Sequence, residues 1–188
     1  MTVKVISYRD FRPIEAIDTT SYSQTWSRGL SPFFVGPVPL WDGSSSVNME
    51  NAWQFSKVYP EHVGLDGLPS DVWKEWSRTG WADERAHRYP MGKGVVPLYS
   101  WWDGEKLSYV DARKKIYFPL YAKAVILTEA FQKLQRIYEA VGSVTLVDFD
   151  GYDHRKLGLD WKGVLNNPNK PMGHAFIIGY LLEQLETA

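Results

Sequence analysis

One predicted helix has a sequence signal at each end, and this segment limits the possible folds more than any other. Asn48 is a preferred helix N-cap and Pro60 cannot continue a helix, so a helix is predicted from Met49 to Tyr59. Most of its residues are apolar, which predicts burial on most sides. The chain can supply such a core, because 44% of its 188 residues are hydrophobic and 15% are aromatic. One domain spanning residues 1–188 is expected from this length.

Strand and helix signals alternate along the rest of the chain. Thr2 to Tyr8 and Val144 to Phe149 are β-branched runs that predict strands, the second of them buried. Phe11 to Leu40 is rich in Ser, Gly and Pro and predicts loops. Further elements are predicted as a strand at Val95 to Trp101 and as helices at Ser70 to Trp76, Ala82 to Arg88, Ser108 to Ala140 with a break or restart at Pro119, and Gly173 to Leu185. The pattern predicts an α+β fold with helices packed around a small mixed sheet.

Charge and cysteine content exclude several classes of protein. The 21 Lys and Arg against 22 Asp and Glu leave a net charge of -1, which argues against free duplex nucleic acid as the main partner. The absence of cysteine excludes disulfides and thiolate metal sites. The N-terminal MTVKVISYRD lacks the apolar stretch of a signal peptide, and no segment is apolar over a membrane-spanning length. We therefore predict a cytoplasmic protein without a membrane partner.

The helix predicted before Pro60 carries one polar stripe. At about 100° per residue, Glu50, Gln54 and Lys57 fall within an arc of roughly 60°. A buried helix with a single polar stripe is expected to face a cavity or a partner. The helical pattern alone favours a simpler interpretation, in which Glu50 complements the helix N-terminus while the other two side chains reach solvent.

The residues of this stripe match a known signature. The segment Glu50 to Val58, E-N-A-W-Q-F-S-K-V, resembles the E-H-x-x-Q-x-x-K-F signature of NADAR domains, the YbiA-like family. The spacing of Glu, Gln and Lys is identical, and Asn51 stands where the family has His. The resemblance extends over about residues 30–182 and is interrupted by a long insertion at about 60–99, which indicates a divergent, phage-type member of the family.

Other parts of the NADAR pattern follow in the same order along the chain. The segment L-S-P-F at 30–33 resembles the LSNF opening of the family. The segments T-L-V-D at 145–148 and D-H-R-K-L-G at 153–158 resemble its strand and its D-x-x-W-G-x-G turn. A glycine-bearing terminal helix at 173–182 completes the order. The resemblance therefore implies a single NADAR-like domain.

The resemblance implies an N-glycosidase, a hydrolase acting on a nucleotide, an ADP-ribose conjugate or a ribosylated or modified base. Such cleavage needs stabilised cationic charge at the sugar C1, help for the departing nitrogen, and a nucleophile. Glu50 and Asp153 are the candidate carboxylates, and Lys57, desolvated among aromatic rings, is the candidate nucleophile. Candidate substrate-binding residues are Gln54, Asn51, Arg155, Arg113 and Trp102, of which the arginines offer planar forks to a phosphate.

Two other classes of function remain open at this stage. A catalytically silent module that binds ADP-ribose or a related nucleotide would need the same pocket but not Lys57 and Glu50. An interaction protein would turn the polar stripe toward a protein partner. The implied partner of the first two classes is a small-molecule nucleotide or ADP-ribose-like ligand, with modified nucleic acid as a further possibility. No cofactor is predicted.

The acidic segment after the second predicted strand has two competing interpretations. Asp148-Phe149-Asp150-Gly151 resembles the D-x-D-G motif of phosphatases, but only the 37 residues 152–188 follow, too few for the rest of that fold. Asp148, Asp150 and Asp153 are also possible cation ligands, although a turn is the favoured role and the four histidines lack mutual ligand spacing. No metal is predicted.

Overall fold

A computed structural model describes residues 2–184, in which short strands and helices alternate. The strands are β1 (Thr2–Ser7), β2 (Ile17–Asp18), β3 (Val38–Pro39), β4 (Ser45–Ser46), β5 (Lys57–Val58), β6 (Tyr99–Trp102), β7 (Glu105–Leu107) and β8 (Ser143–Asp148). The helices are α1 (Met49–Gln54), α2 (Asp71–Ala82), α3 (Tyr109–Ala112), α4 (Phe118–Val125), α5 (Glu129–Val141), α6 (Trp161–Asn166) and α7 (His174–Gln184). Three 3₁₀ turns lie at Trp26–Leu30, Pro60–His62 and Arg155–Leu157, and a π-helical turn at Arg113–Tyr117 joins α3 to α4.

The central sheet pairs the two ends of the chain. β1 lies parallel to β8 from Thr2 opposite Ser143 to Ser7 opposite Asp148, and β2 pairs in parallel with the other edge of β8. The apolar run at Val144 to Phe149 is thus confirmed as a central strand, because its core-facing side chains are buried. The carboxyl end of β8 places Asp148 at the edge of the sheet.

The antiparallel pairings lie in separate sheets. β3 pairs with β4, and β6 pairs with both β5 and β7. The α+β class predicted from the sequence is confirmed, with several small sheets in place of one mixed sheet. α7 and α4 pack on each other, and α7 also packs on β1, which confirms the predicted buried terminal helix up to residue 184; Leu185 lies outside the described residues. Within residues 2–184, no helix is long and apolar enough to cross a membrane.

The helix predicted from Met49 to Tyr59 is about half as long as expected. Asn48 caps it as predicted, accepting a hydrogen bond from the backbone of the third helical residue at 2.8 Å. α1 nevertheless ends at Gln54, and Lys57 belongs to a strand. The reason is pairing with β6: the carbonyl of Ser56 accepts from Trp101 of that strand and the carbonyl of Val58 accepts from Leu98 just before it, at 2.8 Å each. Strand pairing replaces the helical hydrogen bonds that these residues would otherwise make.

The next two helix predictions need correction. α2 continues through Gly80 to Ala82 instead of ending at Trp76. Gly80 lies inside α2, where a Cβ would lie 2.0 Å from the Phe55 ring, so the glycine allows close packing. Residues 83–88, predicted as a helical turn, form a loop.

Asn51 holds that loop. Its amide Nδ2 donates to the carbonyls of Asp83 and Arg85 at 2.9 and 3.0 Å, and its Oδ1 accepts from the backbone N–H of His87 at 2.9 Å. The side chain is fully buried, so these three bonds satisfy an amide that has no access to water. The sequence could not reveal this role, since the partners are more than thirty residues away.

We expect Asn51→Ala to lower the free energy of unfolding by about 1–3 kcal/mol, because three backbone groups of the loop lose their partner. Urea denaturation measures this loss. Asn166→Ala is the matched control, since its amide makes one exposed bond to the Lys162 carbonyl. Equal stability losses in the two variants would contradict the role assigned to Asn51.

The remaining helix boundaries follow the predicted caps with one exception. Ser108 caps α3: its Oγ accepts from the backbone N–H of Asp111 at 3.2 Å and donates to Asp111 Oδ2 at 2.6 Å. Pro119 falls in the first turn of α4, after the π-helical turn, so the helix restarts there. The single helix predicted to reach Ala140 is divided, because Thr128 caps a new helix, α5, whose C-terminal Gly142 is left-handed with φ of 71°.

Candidate active site

A cavity of about 300 Å³ opens beside the carboxyl end of β8. Its walls come from α1, β5, the 83–98 loop, the segment around the π-helical turn, and the start of α7. The side chains that line it include Phe33, Glu50, Trp53, Gln54, Lys57, Arg88, Tyr109, Arg113, Asp148, Phe149, Asp150 and His174. A cavity of this size and mixed polarity is typical of small-molecule sites.

The three signature side chains form one hydrogen-bonded row in this cavity. Gln54 donates from Nε2 to Glu50 Oε1 at 2.9 Å. Lys57 donates from Nζ to Gln54 Oε1 at 2.6 Å. The predicted convergence on one cavity is confirmed, although Lys57 reaches it from β5 and not from the helix. Gln54 therefore fixes the positions of both ionisable groups.

Lys57 is an amine in a poorly hydrated place. Its Nζ lies 5.2 Å from the centre of the Trp53 ring. Burial lowers the pKa of Lys57 to about 8, against the smaller opposing effect of the Glu50 charge. A substantial fraction of the amine is unprotonated just above neutral pH, which makes it a competent nucleophile.

Glu50 is a buried carboxyl group, 7% exposed. Desolvation raises the pKa of Glu50, while the hydrogen bond from Gln54 and the charge of Lys57 act in the opposite direction. Gln54 bridges a carboxyl group with a raised pKa and an amine with a lowered pKa, and groups shifted in these directions are suited to general acid–base catalysis. The simpler interpretation was that Glu50 only complements the helix N-terminus. It does not account for the hydrogen bonds that join Glu50, Gln54 and Lys57.

A buried ionic pair also lines the cavity. His174 Nδ1 is 3.0 Å from Asp148 Oδ2, and its Nε2 lies 2.8 Å from the Thr19 carbonyl. Because both nitrogens face acceptors, both carry protons and His174 is an imidazolium. Burial alone would lower the pKa of His174, but the charge and hydrogen bond of Asp148 and the Thr19 carbonyl more than offset it, so the pKa is raised. Burial would likewise raise the pKa of Asp148, yet His174 and two backbone N–H groups lower it.

Asp150 differs from Asp148, two residues earlier, in its surroundings. It lines the cavity but is exposed to solvent. Its partial enclosure and the negative charge of Asp148 raise the pKa of Asp150, against the charges of Arg88 and His174. Asp150 is therefore a carboxylate at the boundary between the cavity and water.

The cavity also holds a buried arginine that forms no ion pair within residues 2–184. Arg113 is 1% exposed, and its guanidinium donates to the carbonyls of Asn167 and Lys170. Its Nε has no hydrogen-bond partner among the described residues, and its Cζ lies 4.2 Å from the centre of the Tyr109 ring. Its location in the cavity agrees with the sequence prediction.

Four predicted site residues lie elsewhere. Asn51 holds the 83–87 loop, and Trp102 packs on Trp41 with ring centres 4.6 Å apart, outside the cavity. Asp153 lies in a shallow surface depression, 3.7 Å from Lys4 Nζ. Arg155 bonds Glu183 at 2.6 Å. Asp153 was predicted because it follows β8 and Arg155 because its planar fork suits a phosphate, but the chain turns away from the cavity after Asp150.

Several ionisable residues of the cavity were not predicted as site residues, among them Asp148, Asp150, His174 and Arg88. Asp148 and Asp150 were assigned to a turn, although their position at the end of a central strand is a signal that sequence analysis can use. His174 gave no such signal, because its partner Asp148 is 26 positions away along the chain. Within residues 2–184, no group of three His, Asp or Glu side chains is placed to hold a metal ion.

These observations define an α+β protein with a polar cavity built around the Glu50–Gln54–Lys57 row and the Asp148–His174 pair. The chain belongs to the DUF6939 family, a family of unknown function, which matches residues 3–178. No curated protein and no solved structure matches the chain.

Proposed function

We propose that this protein is a NADAR-like N-glycosidase that hydrolyses the bond between a sugar C1 and a nitrogen, in a nucleotide, an ADP-ribose conjugate or a ribosylated or modified base. The observation that carries the proposal is the row Glu50–Gln54–Lys57 inside an enclosed cavity. Sequence resemblance picked out the same three residues independently of their geometry. Removing a charged amine from water costs free energy, so this burial would not benefit a lysine that only stabilises the fold.

The chemistry begins at Lys57. The unprotonated Nζ attacks C1, forming a C–N bond while the bond from C1 to the departing nitrogen breaks. The attacking nitrogen then carries an extra proton, which Glu50 accepts and passes to the departing nitrogen. The negative charge of Glu50 also stabilises the cationic charge that develops at C1.

Water completes the cycle. The sugar bound to Lys57 opens to an imine as the N–H proton moves to the ring oxygen, and water adds across the C1–Nζ double bond. Asp150, at the boundary with solvent, takes the proton of the attacking water and returns it to Nζ. The hydroxyl group at C1 then gives its proton to Nζ as the C1–Nζ bond breaks, which restores the amine of Lys57, and the open sugar closes again. The net reaction consumes one water and releases a free base and a sugar with a C1 hydroxyl group.

The pKa of Lys57 sets the expected pH dependence. Because Lys57 must lose its proton to attack, kcat/KM should rise with pH and level off above about 8, the pKa of this amine. Base release measured between pH 6 and 9 tests this. A profile that is flat through pH 8, or one that rises only near the ordinary lysine pKa of 10.5, would contradict the role of Lys57.

A nucleotide screen finds the substrate and separates turnover from binding. Thermal shift identifies ligands, because a ligand that binds only the folded state raises the melting temperature. Each ligand is then incubated with the protein, and chromatography measures free base. Release of base supports the glycosidase. A ligand that binds at this cavity and is never cleaved would instead identify a nucleotide-binding module without catalysis.

A further inference from the structure

Arg88 is held in the cavity by aromatic rings and not by an acidic partner. Its Cζ lies 4.6 Å from the centre of the Phe149 ring and 5.1 Å from that of Phe33. Within residues 2–184 it makes no hydrogen bond or ion pair, although its charge acts on Glu50 and Asp150. Rings that stack on a guanidinium fix its plane while leaving its N–H groups open to a ligand.

The loop that carries Arg88 is itself fixed in place. Asn51 on α1 binds the backbone of residues 83, 85 and 87, immediately before Arg88. The loop lies in the insertion at about 60–99, the part of the chain to which the NADAR resemblance does not extend. Arg88 is thus a feature of this chain's own insertion, positioned by the same helix that presents Glu50 and Gln54.

The charges of the cavity favour an anionic ligand. Asp148 is neutralised by His174, with which it forms a buried pair. While Lys57 keeps its proton, the remaining cations are Lys57, Arg88 and Arg113, and the remaining carboxylates are Glu50 and Asp150. In that state the lining has an excess of positive charge, in a chain whose net charge is -1. This positive charge is local to the cavity and does not reflect a general excess of basic residues in the chain.

We infer that the insertion gives this cavity a phosphate subsite at Arg88, so that the substrate is a phosphorylated nucleotide and not a free nucleoside or base. The inference rests on the proposed function for the identity of the sugar and base. A phosphate fits better than a carboxylate because it presents more acceptor oxygens and more charge to the excess of cations. The terminal nitrogens of Arg113 already donate to the Asn167 and Lys170 carbonyls. Arg113 therefore adds long-range electrostatic attraction for the phosphate.

Binding by NMR titration tests the subsite without requiring cleavage. The ligands are AMP, GMP and UMP, their unphosphorylated nucleosides, and the 5′-carboxylate of adenosine. We expect at least one nucleotide to bind the native protein about ten- to a hundredfold more tightly than its nucleoside or carboxylate counterpart. Arg88→Ala should remove this preference and Arg88→Lys should restore part of it.

Arg85→Ala is the matched control, because it removes the same charge from an exposed position in the same loop. It should keep the preference for phosphate. The inference is overturned if the native protein shows no preference, if it prefers the carboxylate, if none of the three nucleotides binds at millimolar concentration, or if Arg88→Ala keeps the preference. These results are independent of catalysis: a phosphate preference without base release would uphold the subsite and defeat the glycosidase.

Discussion

Lys57→Ala is expected to reduce N-glycosidic cleavage by at least about a thousandfold while leaving the fold and most of the ligand affinity in place. The loss is large because the variant removes the atom that bonds to C1. Binding should survive, since Arg88 and the aromatic walls do not depend on the lysine. Single-turnover base release and NMR titration measure the two quantities separately.

Lys57→Arg should not restore turnover. A guanidinium keeps the positive charge but does not lose a proton under working conditions, so this variant separates a nucleophilic amine from a purely electrostatic role. Borohydride added during turnover should reduce the imine to a stable adduct, which peptide mass spectrometry places on Lys57.

Lys106→Ala is the control for both Lys57 variants, because it removes an amine from β7 outside the cavity. It should behave as the native protein. Turnover within a few fold of native in Lys57→Ala or Lys57→Arg would refute the nucleophile and leave Glu50 with Asp150 as the groups to test.

Asp148→Asn is expected to cost about 3 kcal/mol of stability, the largest loss that we predict for a single polar side chain. The substitution keeps the shape of the side chain but leaves the buried imidazolium of His174 without a counter-charge. The Ala175 N–H, 3.0 Å from Asp148 Oδ2, also loses a charged acceptor. Urea denaturation at pH 6 measures the change.

The same pair predicts how stability depends on pH. The raised pKa of His174 contributes stability below its ordinary value of 6.5, and this is lost as pH rises through the folded pKa. The lowered pKa of Asp148 contributes stability above its ordinary value of 3.8, and this is lost as pH falls through the folded pKa. The pair therefore stabilises most between pH 3.8 and 6.5, and Asp148→Asn should flatten the profile on both sides.

Asp153→Asn provides the control for this prediction. Asp153 belongs to the same segment after β8, but its ion pair with Lys4 is long and open to solvent. Its loss should cost less than about 1 kcal/mol. Similar costs for Asp148→Asn and Asp153→Asn would show that His174 does not require its partner.

The parts of the fold that local signals specify were predictable. The Asn48 and Ser108 caps, the left-handed Gly142 and the apolar run of β8 each act through neighbours within a few residues. The end of α1 was not predictable in this way, because it depends on pairing with β6, more than forty residues later. Tertiary contacts decide such boundaries.

The candidate site likewise contains residues that local signals predict and residues that they do not. The row Glu50–Gln54–Lys57 could be read from the sequence because its members are three or four residues apart and both helix and strand geometry bring them together. Asp148 with His174, and Arg88 with its two rings, join distant segments and could not. Proximity in the chain misled in the case of Asp153, which follows β8 but faces away from the cavity.

The most direct test of the proposed function identifies the bond that breaks. The ligands found by thermal shift are incubated with the protein in water enriched in ¹⁸O. The products are then separated, and their masses are measured by mass spectrometry. We predict free base and a sugar that carries one ¹⁸O at C1, because water enters at the carbon that Lys57 releases. Unchanged ligands, or ¹⁸O found in a phosphate and not at C1, would contradict the assignment of this protein as an N-glycosidase.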